Sequence, residues 1–179
     1  MADVLTRLFR RLGDDALPFY YQLRDDSDSD ILAAVSTTSA DLRFLDVDMW
    51  AENLVELSNH ELPVVRRNLV PSLREYFETF PDDTRKLLPV MWQDGDEVVR
   101  TRMRELLIKM SDISSTQFGA RITDLNQHGC DLSALWRLMD ARRKGSSEAW
   151  KSWLSGEGEM PETIETMRHV STMQAPEEL

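Results

Sequence analysis

A repeat with a period of 34 residues is the strongest constraint on what this chain can fold into. Segments 26–32, 60–66 and 94–100 align at this spacing. The apolar residues that follow the last two segments also match: Val65 with Val99, Leu69 with Met103, Leu73 with Leu107, and Tyr76 with Met110. Their spacing of three and four residues indicates a helix after each segment. Leu23, Leu57 and Met91 align in front of the segments, so a unit of helix, short turn and helix is predicted to recur.

Apolar residues outside the repeat have the same helical spacing, and no stretch alternates in the manner of a strand. Phe118, Ile122 and Leu125 mark one such helix near the C-terminal end. A single helical hairpin cannot bury its own apolar face, so hairpins must stack, and the end units must differ in order to face water. The sequence therefore predicts an all-α fold, a short α-solenoid of stacked antiparallel helical hairpins with divergent terminal helices.

The length of 179 residues is that of about one domain. We expect a single helical-repeat domain over residues 1–155. Residues 156–179 carry five more acidic than basic side chains, and we predict a partly flexible acidic tail there.

The segment Asp94–Arg100, which reads Asp-Gly-Asp-Glu-Val-Val-Arg, resembles the turn of the HEAT repeat family. That turn has the form Asp-x-x-x-x-Val-Arg and joins paired antiparallel helices. The resemblance covers about residues 15–112, with His60 in place of the aspartate and Leu32 in place of the arginine in earlier copies. In the family these aspartates and arginines form a ladder between neighbouring repeats, so the resemblance implies ladder roles for Arg66, Asp94 and Arg100.

The resemblance also implies that the second helices of the hairpins line the surface that a partner contacts. Four cations lie outside the apolar stripes of these helices, namely Arg67, Arg74, Arg102 and Lys109. Two interpretations are open: they contact a partner, or they belong to a solvated face balanced by nearby glutamates. We expect a partner along this surface.

Motifs for metal binding and catalysis are incomplete or missing. The run Asp26-Ser27-Asp28-Ser29-Asp30 begins like an EF-hand loop, but Ile31 and Thr37 occupy the positions that need Gly and Glu. A helix-capping turn explains this run better. The chain has no Gly-x-Ser-x-Gly and no phosphate-cradling glycine loop, and its lone Cys130 is typical of a small buried hydrophobe. We expect no metal, no cofactor and no enzymatic activity.

Charge limits the class of partner. The chain carries 32 acidic against 21 basic residues, a net charge of -11. Nucleic-acid binding relies on Lys and Arg to displace counterions, so this charge disfavours it. The N-terminus lacks the apolar run of a signal peptide or membrane span, and a single cysteine cannot form an internal disulfide. We expect a cytoplasmic protein that contacts no membrane and no small-molecule substrate.

Three functions are compatible with these observations. The first is a non-catalytic interaction module or adaptor subunit that binds another protein, one with a basic surface if the acidic residues take part. The second is an acidic regulatory or immunity-type inhibitor that occupies a basic site, whose binding would collapse at moderate salt. The third is a HEAT-like DNA glycosylase acting on alkylated bases, for which this chain is short and wrongly charged. We favour the first.

Overall fold

The computed structural model describes residues 2–163, which form ten α-helices, two short 3₁₀ helices (Gly13–Ala16 and Ser39–Phe44) and no β-strand. The α-helices are α1 Ala2–Leu12, α2 Leu17–Arg24, α3 Ser29–Thr38, α4 Val47–Ser58, α5 Pro63–Thr79, α6 Pro81–Trp92, α7 Glu97–Ile113, α8 Ser115–Gln127, α9 Ser133–Arg142 and α10 Ser146–Leu154. The all-α prediction is confirmed. Most of the predicted acidic tail, residues 164–179, lies outside the described residues.

The turns between helices follow the 34-residue period. They occupy residues 25–28, 59–62 and 93–96, and a fourth turn, whose sequence departs from the repeated pattern, occupies 128–132. All eight apolar residues paired by the repeat alignment are at most 1% exposed. The alignment therefore identified both the turns and the buried positions of the helices that follow them.

The first acidic turn acts as a helix cap. The Asp28 side chain accepts hydrogen bonds from the backbone N–H groups of Asp30 and Ile31, at 2.8 and 3.3 Å. These N–H groups have no partner inside α3 because they belong to its first turn. The capping interpretation of this run is confirmed.

The described residues divide into two compact units. Unit 1 comprises residues 2–87 and 94–102, and unit 2 comprises residues 88–93 and 103–163. A single domain over residues 1–155 stays a prediction.

Unit 1 contains two helical hairpins, α2 with α3 and α4 with α5, and the second helices α3 and α5 also contact each other. Helix α1 packs on α3, and its Leu5 and Phe9 are almost fully buried. The core contains an aromatic cluster, in which Trp50 and Tyr76 meet edge to face with ring centroids 6.0 Å apart. Such large buried rings add substantially to the hydrophobic stabilisation of the unit.

In unit 2, helix α10 packs against both α8 and α9. Trp150 on α10 stacks edge to face on Phe118 of α8, with ring centroids 4.6 Å apart. Gly119 lets the second tryptophan of α10, Trp153, also pack closely against α8, since a Cβ atom at position 119 would lie 2.9 Å from the Trp153 ring. The short helix that carries the two tryptophans thus docks on the body of its own unit.

Two local features bear on where helices begin and break. In the sequence Asp15 could cap the second helix, but it lies inside the 3₁₀ helix Gly13–Ala16, and α2 begins without a side-chain cap. An interior proline kinks a helix or divides it in two, and Pro71 does not divide its helix. Helix α5 continues through Pro71 from Pro63 to Thr79, and a side chain from α7 binds the carbonyl group that the proline leaves without a donor, as described below.

Candidate interaction surface

The turns of unit 1 share one hydrogen bond at equivalent positions. Oδ1 of Asp26 accepts from the N–H of Asp28 at 2.8 Å, and Oδ1 of Asp94 accepts from that of Asp96 at 2.8 Å. In the intervening repeat, Nδ1 of His60 accepts from the Leu62 N–H at 3.1 Å. An imidazole nitrogen thus replaces a carboxylate oxygen in the same role, which explains how the repeat tolerates a histidine there.

Arg66 and Arg100 bind the carbonyl groups of their own turns in the same way. Nη1 of Arg66 donates to the carbonyls of His60 and Glu61, at 2.6 and 3.0 Å. Nη1 of Arg100 donates to those of Asp94 and Gly95, also at 2.6 and 3.0 Å. Each arginine therefore closes the turn in front of its own helix.

Arg66 additionally reaches the next turn. Its Nε and Nη2 donate to the two oxygens of Asp94 at 2.7 and 2.9 Å, a bidentate arrangement that is stronger than a single neutral hydrogen bond. The side chains are 15% and 7% exposed. Within residues 2–163, Arg100 has no carboxylate oxygen within 4.0 Å. The structure thus places Arg66 and Asp94 together and Arg100 against backbone only.

The electrostatics of Asp94 follow from this geometry. Burial raises the pKa of its carboxyl group, but the Arg66 hydrogen bonds and the N–H of Asp96 stabilise the charged form more. The net pKa lies below its usual value of 3.8. The same bonds raise the pKa of the Arg66 guanidinium, so both groups are charged at neutral pH.

Two of the four predicted partner-binding cations are engaged within unit 1. Nε of Arg67 donates to Asp96 at 2.8 Å, and a second nitrogen completes a bidentate pair. The Arg67 hydrogen bond, outweighing partial burial, holds the pKa of Asp96 well below its usual value. Nη1 of Arg102 donates to the backbone carbonyl of Arg67 at 2.7 Å. These two residues join α5 to α7, a structural role that surface charge alone did not predict.

Pro71 explains the bond made by Arg102. In an α-helix the carbonyl of residue 67 accepts from the N–H of residue 71, which proline lacks. Arg102 supplies the missing donor, so α5 continues through the proline without an unpaired carbonyl. In the preceding repeat Asn68, which aligns with Arg102, donates to the Ala33 carbonyl at 3.1 Å. This role of Asn68 was not predicted from the sequence, although the 34-residue alignment pairs Asn68 with Arg102.

A groove lies beside the third predicted residue, Arg74. Its volume is about 530 Å³, and its walls come from the end of α3, the 3₁₀ helix Ser39–Phe44 and α5. Arg74 pairs with Glu78 one turn along the helix at 3.2 Å and keeps 40% of its side chain exposed. Arg43 and Glu75 form a second ion pair in the same groove. Glu75 and Glu78 are among the glutamates expected to balance the cations of this face, whereas Arg43 lies outside the repeated segments and was not predicted to take part.

The fourth predicted residue, Lys109, lies exposed on α7 in unit 2. Within the described part of the chain it has no ion pair. Whether any of the four cations contacts a partner stays a prediction, but Arg74 and Lys109 are the two whose side chains are not bound to another helix.

Residue types that could take part in catalysis or metal binding are held in packing and hydrogen-bonding contacts. Cys130 is buried and accepts a hydrogen bond from Gln93 at 3.2 Å. The Trp92 indole is also buried and donates to the Asp131 carbonyl at 3.1 Å, so packing and this hydrogen bond account for its position. No three His, Cys, Asp or Glu side chains among residues 2–163 are grouped so as to hold a metal ion.

Within the described chain, no helix combines the length and the apolar character needed to span a bilayer. No protein family matches this chain, and no curated protein and no solved structure is significantly similar to it.

Proposed function

We propose that this protein is a non-catalytic protein–protein interaction module of the cytoplasm, built as a short HEAT-like solenoid. Support for the solenoid comes from bonds that recur at the repeat period. Asn68 and Arg102 each donate to a carbonyl of the preceding second helix, and Arg66 and Arg100 each close their own turn. Bonds of this kind fix the spacing of adjacent hairpins, which is how repeat proteins build an extended surface.

The observation that carries the binding function is the groove beside Arg74. It lies on the second helices, and both its ion pairs are partly exposed, with side chains between 30% and 46% accessible. Exposed pairs contribute little to stability, so their charges remain available to a partner at low cost. A partner segment with alternating charges would fit this groove by complementarity.

Site-specific crosslinking in the native host tests this proposal. A photoreactive amino acid replaces Arg74 in one variant and Glu52, an exposed residue of α4, in the control. Glu56 is unsuitable as a control because it pairs with Arg24 at 2.8 Å. We expect one protein to crosslink at position 74 and not at position 52.

The captured protein is then purified and titrated against Arg74→Glu, Lys109→Glu and the control Glu52→Lys. We expect Arg74→Glu to weaken binding by about tenfold, equivalent to about 1.4 kcal/mol, with a nearly unchanged melting temperature. Loss of affinity in Glu52→Lys with full affinity in Arg74→Glu would place the interface on the first helices and refute the proposal.

A further inference from the structure

Unit 2 has a cleft of about 800 Å³ that plays no part in the function proposed above. Its apolar floor includes Ile108 of α7, Met139 of α9 and Trp150 of α10. Its rim is the connection between α9 and α10, where Arg142, Arg143 and Lys144 follow one another. A concave apolar site with a few charged groups at its edge is the usual form of a ligand site in proteins.

The cations at the rim are largely uncommitted. Arg142 lies 3.6 Å from Asp112, with both side chains 48% exposed. Arg143 and Lys144 are exposed and, within residues 2–163, have no carboxylate oxygen within 4.0 Å. Glu162 also lines the cleft and is not paired with any of the three. Two adjacent unpaired cations over an apolar floor stand out in a chain of net charge -11.

The charge of the cleft differs in sign from that of the whole chain. Its lining carries three basic side chains against two acidic ones, Asp112 and Glu162. Asp140, the carboxylate nearest in sequence to the rim, accepts from the backbone N–H and the hydroxyl of Ser147 at 2.9 and 2.7 Å. These bonds hold its pKa below the usual value and direct the carboxylate to the first turn of α10. The rim thus presents positive charge outward.

We infer that this cleft binds a segment of a partner protein in which acidic and apolar side chains alternate. The apolar side chains would cover the floor, and the carboxylates would meet Arg143 and Lys144. Arg143 and Lys144 are consecutive residues, whose Cα atoms lie about 3.8 Å apart, so these two cations match two spaced carboxylates of one segment better than a single anionic head group. The inference is independent of the groove in unit 1, and different variants test the two.

The test is calorimetric titration of the full chain with three synthetic octapeptides of equal length. One alternates Glu and Leu, one alternates Lys and Leu, and one alternates Glu and Ser. We expect binding of the Glu-Leu peptide alone. In NMR spectra of the protein, this peptide should shift the amide resonances of Gly145 and Ser146. Decanoate serves as a small anionic amphiphile in a separate titration.

The decisive variant is Arg143→Glu with Lys144→Glu, which should weaken binding of the Glu-Leu peptide more than tenfold and leave the melting temperature unchanged. The variant Arg143→Gln with Lys144→Gln should weaken it less. Arg10→Glu with Arg11→Glu changes the net charge equally on exposed residues of α1 in unit 1, and should retain affinity.

Four results would overturn the inference. Equal loss in the α1 variant would mean that long-range charge alone matters. Equal binding of the Glu-Ser peptide would mean that the apolar floor is not used. Binding of decanoate as tight as that of the peptide, at the same resonances, would indicate a site for small amphiphiles. Absence of binding by the Glu-Leu peptide would mean that the cleft is not a site for such segments.

Discussion

Arg66 and Arg100 provide an internal comparison that measures the contribution of the Arg66–Asp94 ion pair to stability. Both arginines bind two carbonyls of their own turn at the same distances, but only Arg66 also binds a carboxylate, that of Asp94. Replacing each by methionine retains most of the aliphatic stem and removes the guanidinium. The difference between the two losses therefore isolates the carboxylate contact.

The magnitudes follow from the geometry. Two hydrogen bonds from a charged, half-buried donor to backbone carbonyls contribute about 1 to 2 kcal/mol, so we expect that cost for Arg100→Met. A fully buried ion pair costs about 3 to 5 kcal/mol when one partner is removed, and an exposed one about 0 to 1. With side chains 15% and 7% exposed, the contact of Arg66 with Asp94 lies between these limits. We expect Arg66→Met to cost about 2 kcal/mol more than Arg100→Met.

Urea unfolding followed by circular dichroism gives these differences. Asp94→Asn keeps an acceptor for the Asp96 N–H and removes the charge, and a double-mutant cycle with Arg66→Met should return a coupling free energy of about 2 kcal/mol. Because the pKa of Asp94 is lowered by folding, this coupling should be constant above its usual value of 3.8 and decline as the pH falls below it. Equal losses for the two arginines at neutral pH would refute the ladder role of Asp94.

Three further substitutions test other contacts by the same unfolding measurement. Arg102→Met should cost about 1.5 to 3 kcal/mol by leaving the Arg67 carbonyl unpaired. In a Pro71→Ala background, which restores the N–H donor, this cost should fall below about 0.5 kcal/mol. An unchanged cost would contradict the role of Arg102 as the substitute donor. Tyr76→Phe should stabilise the protein by about 1 kcal/mol, because the buried hydroxyl has no hydrogen-bond partner among residues 2–163. Burial also raises the pKa of the Tyr76 hydroxyl to about 12, so the variant should lose less stability than the original protein between pH 10 and 12. Gly119→Ala should cost about 1 to 2 kcal/mol, because the added Cβ would press on the Trp153 ring. Gly95→Ala should be close to neutral, because a Cβ there meets no described atom within 4 Å. Equal effects of the two substitutions would mean that Gly119 does not contact the indole.

Much of the fold could be predicted because the repeat period and the helical period act on the same residues. A buried position in one repeat, such as Leu69, predicted its partner Met103, and both side chains are fully buried. The turn at 128–132 lies about one period after the turn at 93–96, although its key residues, His128 and Ser133, differ from the repeated pattern. Position along the chain was therefore informative there even though residue identity was not.

The roles of the charged residues were harder to predict from sequence. Arg67 and Arg74 lie on the same helix, and both fall outside its apolar stripe. Arg67 binds Asp96, a residue that lies 29 positions later in the chain, and helical periodicity gives no information on such distant pairings. Pro71 did carry a usable signal, because an interior proline always frees the carbonyl four residues earlier. The matching donor could be identified only once α5 and α7 were placed together.

Arg67 and Arg74 differ in how readily they can bind a partner that lies on the second helices. A partner that binds Arg67 must first break the bidentate pair of Arg67 with Asp96. Asp96 also accepts hydrogen bonds from the N–H groups of Val98 and Val99 in the first turn of α7. A partner that recruits Arg74 breaks only a pair within one helix, and such pairs contribute about 0.3 to 0.5 kcal/mol. Binding should therefore use the groove beside Arg74 and leave Arg67 in place. Arg67→Glu would then affect binding only to the extent that it lowers stability, whereas Arg74→Glu would weaken binding while lowering stability by about 1 kcal/mol or less.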